Sequence, residues 1–191
     1  MKTAFISDIH GNYEALNAVL SKLDKLGISR VYCAGDIVGY YSQINECCKE
    51  LRSREIPSVM GNHDWYMAGG GFCPRSRSVN DCLAYQRGVI EKENLDWLKT
   101  LPVQIQIDKI QMVHGGWGDP IDEYLKPTQE YFEKVVGDVF VSGPDLTNLG
   151  QQKRKRSFFY TNTKNVPVVF ERGEKETPIS TTQVIQDIIV F

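Results

Sequence analysis

Four short segments carry side chains that could bind metals and act on phosphate. They hold Asp8 and His10 in SDIHG, Asp36 in AGDIVG, Asn62, His63 and Asp64 in GNHD, and His114 in MVHGG. Asp and His at alternate positions can turn two different donor atoms onto one hard or borderline cation. A carboxylate lying between two cations, the role open to Asp36, can bridge them and offset part of their repulsion. Asn62 offers a carbonyl oxygen and His114 an imidazole nitrogen to the second ion. Two divalent ions about 3.5–4 Å apart generate a hydroxide near neutral pH, clamp phosphate oxygens and stabilise an in-line displacement. His63 then faces the phosphate, stabilising charge or protonating the leaving oxygen, with Asp64 holding its orientation. Phosphoryl ester hydrolysis is the chemistry this array suits.

Each segment alone has a plainer reading. Asp and His are common in turns and caps, and a single histidine is more often hydrogen-bonded structurally than a ligand. GNHD is harder to dismiss, because three hydrogen-bonding side chains in a row after a glycine are a costly way to build a turn. All three histidines of the chain fall in these segments. Four such clusters in succession favour a site.

The elements around the clusters explain how they could meet. TAFIS, RVYCAG and IPSVMG read as three buried strands, and each ends on a cluster. The residues from Tyr13 to Leu26 place Leu16, Val19, Leu20, Leu23 and Leu26 on one helical face, closed by Gly27. INECCKELRSRE reads as a second helix. This alternation predicts parallel strands joined by right-handed crossovers, whose carboxyl ends converge on the edge where ligands bind. GGGFCPRSRS reads as a mobile loop followed by a helix, and ENLDWLKTLP as a short helix stopped by Pro102. VQIQI and IQMVH read as a hairpin ending on His114. PTQEYFEKVV is expected to be helical, and DVFVSG, SFFYT, VPVVFER and QVIQDIIVF to be strands. The stretch GGWGDP is equally a Gly-rich turn or a substrate loop. We find no repeat and no linker, so residues 1–191 are expected to form a single domain.

Composition narrows the setting. The chain has 191 residues, 41% hydrophobic and 24% charged, with a net charge of −2. Charge therefore gives no reason to expect nucleic acid as a partner, and no apolar run has the length of a membrane span. The N-terminus does not have the form of a signal peptide. Five cysteines, without a C-x-x-C pair, suggest a reducing cytoplasm, with Cys33 and Cys47 as buried small apolar residues.

Taken in order, D-x-H, G-D-x-x-G, G-N-H-D and V-H-G resemble the calcineurin-like metallophosphoesterases, and among them the small bacterial phosphodiesterase branch. The resemblance runs over residues 3–143. It implies an α/β fold of two mixed β-sheets packed as a sandwich and flanked by helices. It also implies a two-metal site using Mn, Fe, Zn or Ni, and a phosphate-ester small molecule or nucleotide as substrate. Carried over residue by residue, Asp8 and His10 bind the first metal, Asp36 bridges, Asn62 and His114 bind the second, and His63 is catalytic.

The pattern breaks after the next strand. The family continues into G-H-x-H, one histidine for each metal, whereas this chain has FVSGPDL, with Pro144 and Leu146 at the histidine positions. Neither side chain can ligate. Water can fill an open position on a catalytic cation, a solution we prefer to ligation by Asp119 or Asp145. The resulting alternative is a catalytically impaired relative that binds a phosphorylated ligand or a protein partner. The basic run Lys153–Arg156 reads as a solvated hairpin near the rim.

Overall fold

The computed structural model describes residues 3–69, 71–108, 110–124, 131, 139–143, 152–153, 156–159 and 187–190. Two sheets lie at its centre. The smaller has the order β2-β1-β8, with β1 (Thr3–Ser7) parallel to β2 (Arg30–Cys33) and antiparallel to β8 (Asp187–Val190). The larger runs β3-β4-β5-β7-β6, from β3 (Gln104–Ile107), β4 (Ile110–Val113), β5 (Val139–Ser142), β6 (Gln152–Lys153) and β7 (Arg156–Phe159). Parallel and antiparallel pairings occur in both, so both sheets are mixed.

Two apolar clusters hold the layers together. Phe5 and Ala34 meet Val59, Ile107, Met112 and Val141, which closes the smaller sheet's region onto the larger sheet. The second and larger cluster joins Ala4 and Ile6 of β1 to residues of all five helices. These are α1 (Tyr13–Lys25), α2 (Ile44–Ser53), α3 (Asn62–Gly69), α4 (Arg77–Val89) and α5 (Lys92–Leu98). Alternation along β1 produces both contacts, since successive side chains of a strand point to opposite faces. Leu16, Leu20, Leu51, Leu83 and Leu98 are almost fully buried, each contributing about 1.5–3 kcal/mol. This is the sandwich with flanking helices that the motif order implies.

Local chemistry sets the helix ends. The Asn12 side chain caps α1 by accepting from Ala15 N at 3.1 Å, one of the strongest N-cap arrangements. At the other end Gly27 N–H bonds Asp24 O and Ile28 N–H bonds Leu23 O, with Gly27 at φ +67°. This is a Schellman closure. Leu26, expected on the buried face, is 49% exposed because it lies at the cap, where the helical face has already rotated away.

Two other expectations change. IPSVMG does not form a strand of its own: it contributes one parallel bridge, Cys33 to Ser58, flanked by Cys33 N–H to Pro57 O and Val59 N–H to Cys33 O. Pro57 has no N–H to extend a ladder. GGGFCPRSRS begins inside α3 and ends inside α4, and the stretch between is tied down. Arg87 donates to Gly71 O at 2.7 Å, Asn80 exchanges hydrogen bonds with the Cys73 backbone, and Arg75 forms a bidentate pair with Asp122.

The hairpin of β3 and β4 forms with the expected register, Ile107 opposite Ile110. The basic run opens as a hairpin too, with Lys153 opposite Arg156. Cys33 and Cys47 are buried, and the cysteines are free thiols. VPVVFER and PTQEYFEKVV, apart from Tyr131, lie outside the described residues, as do Pro144, Asp145 and Leu146. Among the described residues no helix is long and apolar enough to cross a membrane.

Candidate metal centre

Five of the clustered residues gather around Asp36, as strand-end placement requires. Asp8 and His10 follow β1, Asp36 follows β2, Asn62 and His63 open α3, and His114 follows β4. Backbone hydrogen bonds lock the first two turns together: Asp8 N–H to Gly35 O, His10 N–H to Asp36 O and Gly11 N–H to Ile37 O. All of these site residues, with Asp64, are buried.

The donor geometry centres on Asp36. Its Oδ2 lies 3.8 Å from His10 Nε2 and 3.9 Å from His63 Nε2, while its Oδ1 lies 3.4 Å from His114 Nε2. His10 Nε2 is also 3.7 Å from Asp8 Oδ1, and His114 Nε2 is 3.0 Å from Asn62 Oδ1. Ligand atoms sharing one cation at about 2.0–2.2 Å stand roughly 3.0–3.6 Å apart. The two groups therefore need little adjustment to close on an ion each. His10, Asp36 and His63 also place one donor apiece within 4.8 Å of one another.

Three further observations fit a cation. Asp8 Oδ2 is buried with no hydrogen-bond partner among the described residues, a position that costs free energy unless something charged meets it. Among the described residues the ion partners of Asp8 and Asp36 are imidazoles, with no Lys or Arg. His10 and His114 also turn Nδ1 to backbone carbonyls, Val38 O at 3.0 Å and Ala34 O at 2.8 Å. Such a bond puts the proton on Nδ1 and leaves Nε2 facing inward as a ligand. His63 is different, because its Nδ1 is buried and has no hydrogen-bond partner among the described residues.

Without a cation the imidazoles supply the positive charge. Burial opposes ionisation of Asp36, yet His114, His63 and His10 hold its carboxyl well below the usual range. Burial likewise disfavours charge on His114, but Asp36 and Asp8 override it and raise the ring to about 9. His10 rises for a similar reason, with burial opposing and Asp8 and Asp36 prevailing. His63 goes down, burial being its largest influence. A proton on His114 stands where the donor set would hold a metal.

Backbone strain is concentrated on the same residues. Asp8, His10 and Asp36 have φ of 57°, 52° and 54°, a left-handed region that costs a non-glycine residue roughly 1–2 kcal/mol. Strain of this kind persists where surrounding structure over-determines it, most often at functional sites. Close approach is equally strict. A Cβ on Gly61 would collide with the Asp36 carboxylate, and one on Gly39 with His63 Nδ1.

Asp64 was expected to hold His63, but its hydrogen bonds run elsewhere. Oδ2 accepts from Gly61 N at 2.9 Å, capping α3, and Oδ1 accepts from Ile37 N and Val38 N at 2.9 and 3.1 Å. Burial and Asp36 push its carboxyl up to about 7 against the Gly61 and Val38 amides and the His114 ring. It fixes the backbone on which Asp36 and His63 ride, and GNHD is a helix start rather than a turn. Asp119 is exposed and its carboxylate caps the amides of Ile121 and Asp122. GGWGDP itself is a turn, closed by Gly115 N–H to Pro120 O and Gly116 N–H to Asp119 O. FVSG supplies the wall behind His114, where Gly143 N–H bonds His114 O at 2.8 Å.

The sequence reading missed Gln86. It is buried on α4 and grips the turn after Asp36: Nε2 donates to Gly39 O and Tyr41 O at 2.6 and 2.5 Å, and Oε1 accepts Gly39 N–H at 2.9 Å. One signal was present, because Val79, Leu83 and Gln86 share the buried face of α4, an odd place for an amide.

Comparison with known proteins bears on the family and the fold. The family model described as calcineurin-like phosphoesterase matches residues 1–158. An uncharacterized protein of Methanocaldococcus jannaschii is 39% identical over 153 residues, which is 77% of this chain and 60% of that protein. A symmetrical bis(5'-nucleosyl)-tetraphosphatase of Neisseria meningitidis is 32% identical over 58% of this chain and 42% of its own length. The chain thus spans about half the length of these curated relatives. Among solved structures, a metallophosphoesterase from Sphaerobacter thermophilus is 25% identical with a TM-score of 0.66, covering 85% of this chain and 76% of that one. A hypothetical protein from Pyrococcus horikoshii shares the fold at 21% identity and a TM-score of 0.68, over 82% of this chain and 74% of that one. The chain is a member of the calcineurin-like phosphoesterase family.

Proposed function

We propose that this chain hydrolyses phosphate esters, phosphodiesters in particular, at a site for two divalent cations. Asp8, His10 and Asp36 would hold the first, and Asp36, Asn62 and His114 the second. The observation that carries this reading is the division of Asp36, whose Oδ2 faces His10 and whose Oδ1 faces His114. When bound, such cations polarise the phosphate and acidify a water molecule. The chain's own part is to fix the donors: Asp64 anchors the Asp36 turn and the start of α3, and the Ala34 and Val38 carbonyls set the histidine tautomers. His63 has no such carbonyl at Nδ1. It serves the phosphate, stabilising charge on the transferring group or supplying the leaving oxygen's proton.

A nucleotide substrate is supported by the curated relatives named as bis(5'-nucleosyl)-tetraphosphatases. A reducing cytoplasm suits the free thiols. The test is hydrolysis of bis(4-nitrophenyl) phosphate with manganese, iron, zinc or nickel, beside His63→Ala. Turnover in the parent alone is expected; rates equal to the variant's under every metal would exclude the reading. The second reading, a phosphate-binding relative without turnover, rests on Pro144 and Leu146. Two tightly held metals per chain would exclude that one.

A further inference from the structure

Tyr40 follows the glycine that backs His10 and His63, and its setting is neither that of a core aromatic nor that of a loose surface one. Its φ of 26° lies in the left-handed region, where a bulky residue is strained. Its ring meets His10 at 4.6 Å between centroids and His63 at 5.1 Å, with interplanar angles of 78° and 46°. Neither contact is parallel stacking. Half of the residue remains exposed, at 50%.

The position is nevertheless fixed from both sides. Gln86 takes up the N–H and carbonyl of Gly39 and the carbonyl of Tyr41, and Tyr41 N–H bonds His10 O at 2.9 Å. The residues flanking Tyr40 therefore cannot shift without breaking bonds of a buried amide. A strained, clamped and half-open ring beside the proposed phosphate position is preorganised for contact with a ligand. Aromatic faces stack planar groups of any base identity, because every base has a π-face. A ring that only buttressed the histidines would not need to leave half its surface open.

We propose that Tyr40 is a specificity-determining residue, whose open ring stacks a planar group, a nucleobase or an aryl ring, carried by the ester whose phosphate sits at His10 and His63. This rests on the phosphoesterase reading for the phosphate's position, and not on turnover. Substrates with a ring near the phosphate are selected over those bearing only a sugar or an alkyl chain.

Calorimetric binding of adenosine 5'-monophosphate and of ribose 5-phosphate, both with manganese present, isolates the ring. The parent should bind the nucleotide roughly tenfold more tightly, the scale of one stacking contact. In Tyr40→Leu that preference should fall to about one, with ribose 5-phosphate affinity unchanged. Tyr40→Phe should keep the preference and Tyr40→Trp should increase it. The proposal is overturned by a parent without preference, by a preference that survives in Tyr40→Leu, or by equal losses for both ligands, the mark of mere support for the histidines. Absence of diester hydrolysis in the parent would remove the catalytic reading, while the binding ratio still decides the role of Tyr40.

Discussion

The two walls of the candidate metal centre are built by different means. The wall after β1 and β2 supplies Asp8, His10 and Asp36 from turns held in left-handed conformations. Three backbone bonds join those turns, Asp64 anchors them and Gln86 grips their continuation. The wall from β4 and β5 supplies one ligand, His114, from a strand end in ordinary register, with Ser142 and Gly143 behind it. In the first wall, geometry depends on backbone and buried polar anchors, so changes that touch no ligand should damage it. In the second, geometry depends on strand pairing, so the ligand itself is the weak point.

Asp36 belongs to both walls, and its loss should have the largest effect. Asp36→Asn retains the shape and one carbonyl oxygen but removes the charge that opposes three imidazoles. We expect hydrolysis to fall by about 10³-fold or more, the scale of removing a principal electrostatic group. Metal analysis should show at least one ion lost, with the far-ultraviolet spectrum unchanged. Parental metal content in this variant would remove the bridging role.

Gln86→Leu tests the first wall without altering a ligand. It strands three backbone groups inside the protein, each costing about 1–3 kcal/mol if left unpaired. A stability loss of about 3 kcal/mol in urea is expected, with hydrolysis reduced about tenfold at temperatures where the variant is folded. Gly39→Ala should behave similarly, since its φ is +110° and the added Cβ meets His63. Full activity in both would mean that the turn needs no such anchoring.

The second wall predicts a pH effect in metal-free protein. Burial disfavours the charged His114 ring, but Asp36 raises it to about 9 in the folded state, above an unfolded value of about 6.5. A raised folded value gives stability that is fully present below the unfolded one and lost as pH rises through the folded one. Metal-free protein should therefore weaken between about pH 6.5 and 9, as read by urea unfolding, and His114→Gln should flatten that slope. Added manganese should restore stability at the alkaline end, where the proton no longer competes. A slope that is the same in His114→Gln would assign it to another group.

These differences also explain what could be read from the sequence. The clustering of the candidate site residues was legible because each of them ends a strand-like run or opens a helix, and short motifs mark such ends directly. The early strands and the β3–β4 hairpin followed from apolar runs and the alternation in QIQI and IQMV, whereas the pairing of two sheets followed from the family resemblance. Asp64 and Gln86 were not assigned their roles, because each acts on the backbone of a segment 26 to 47 residues away, and pattern reading sees side chains at fixed local spacing. The third strand failed for a local reason, the missing N–H of Pro57. Tyr40 directly follows the AGDIVG segment, yet only the fold shows its ring against two histidines.

The smallest expected change addresses the segment after β5, where Pro144 and Leu146 replace the two histidines of the family pattern. Each cation of the proposed site then has one fewer protein ligand, with water in its place. Pro144→His with Leu146→His restores to the sequence the imidazole that the family pattern offers each ion. Since Gly143 already packs on the His114 ring and bonds its carbonyl, the strand delivers the chain to that edge before the two positions begin. Manganese affinity should rise, and hydrolysis at limiting manganese should rise with it by up to about tenfold. Unchanged affinity would mean that the first wall, with its strained and anchored donors, already completes the coordination on its own.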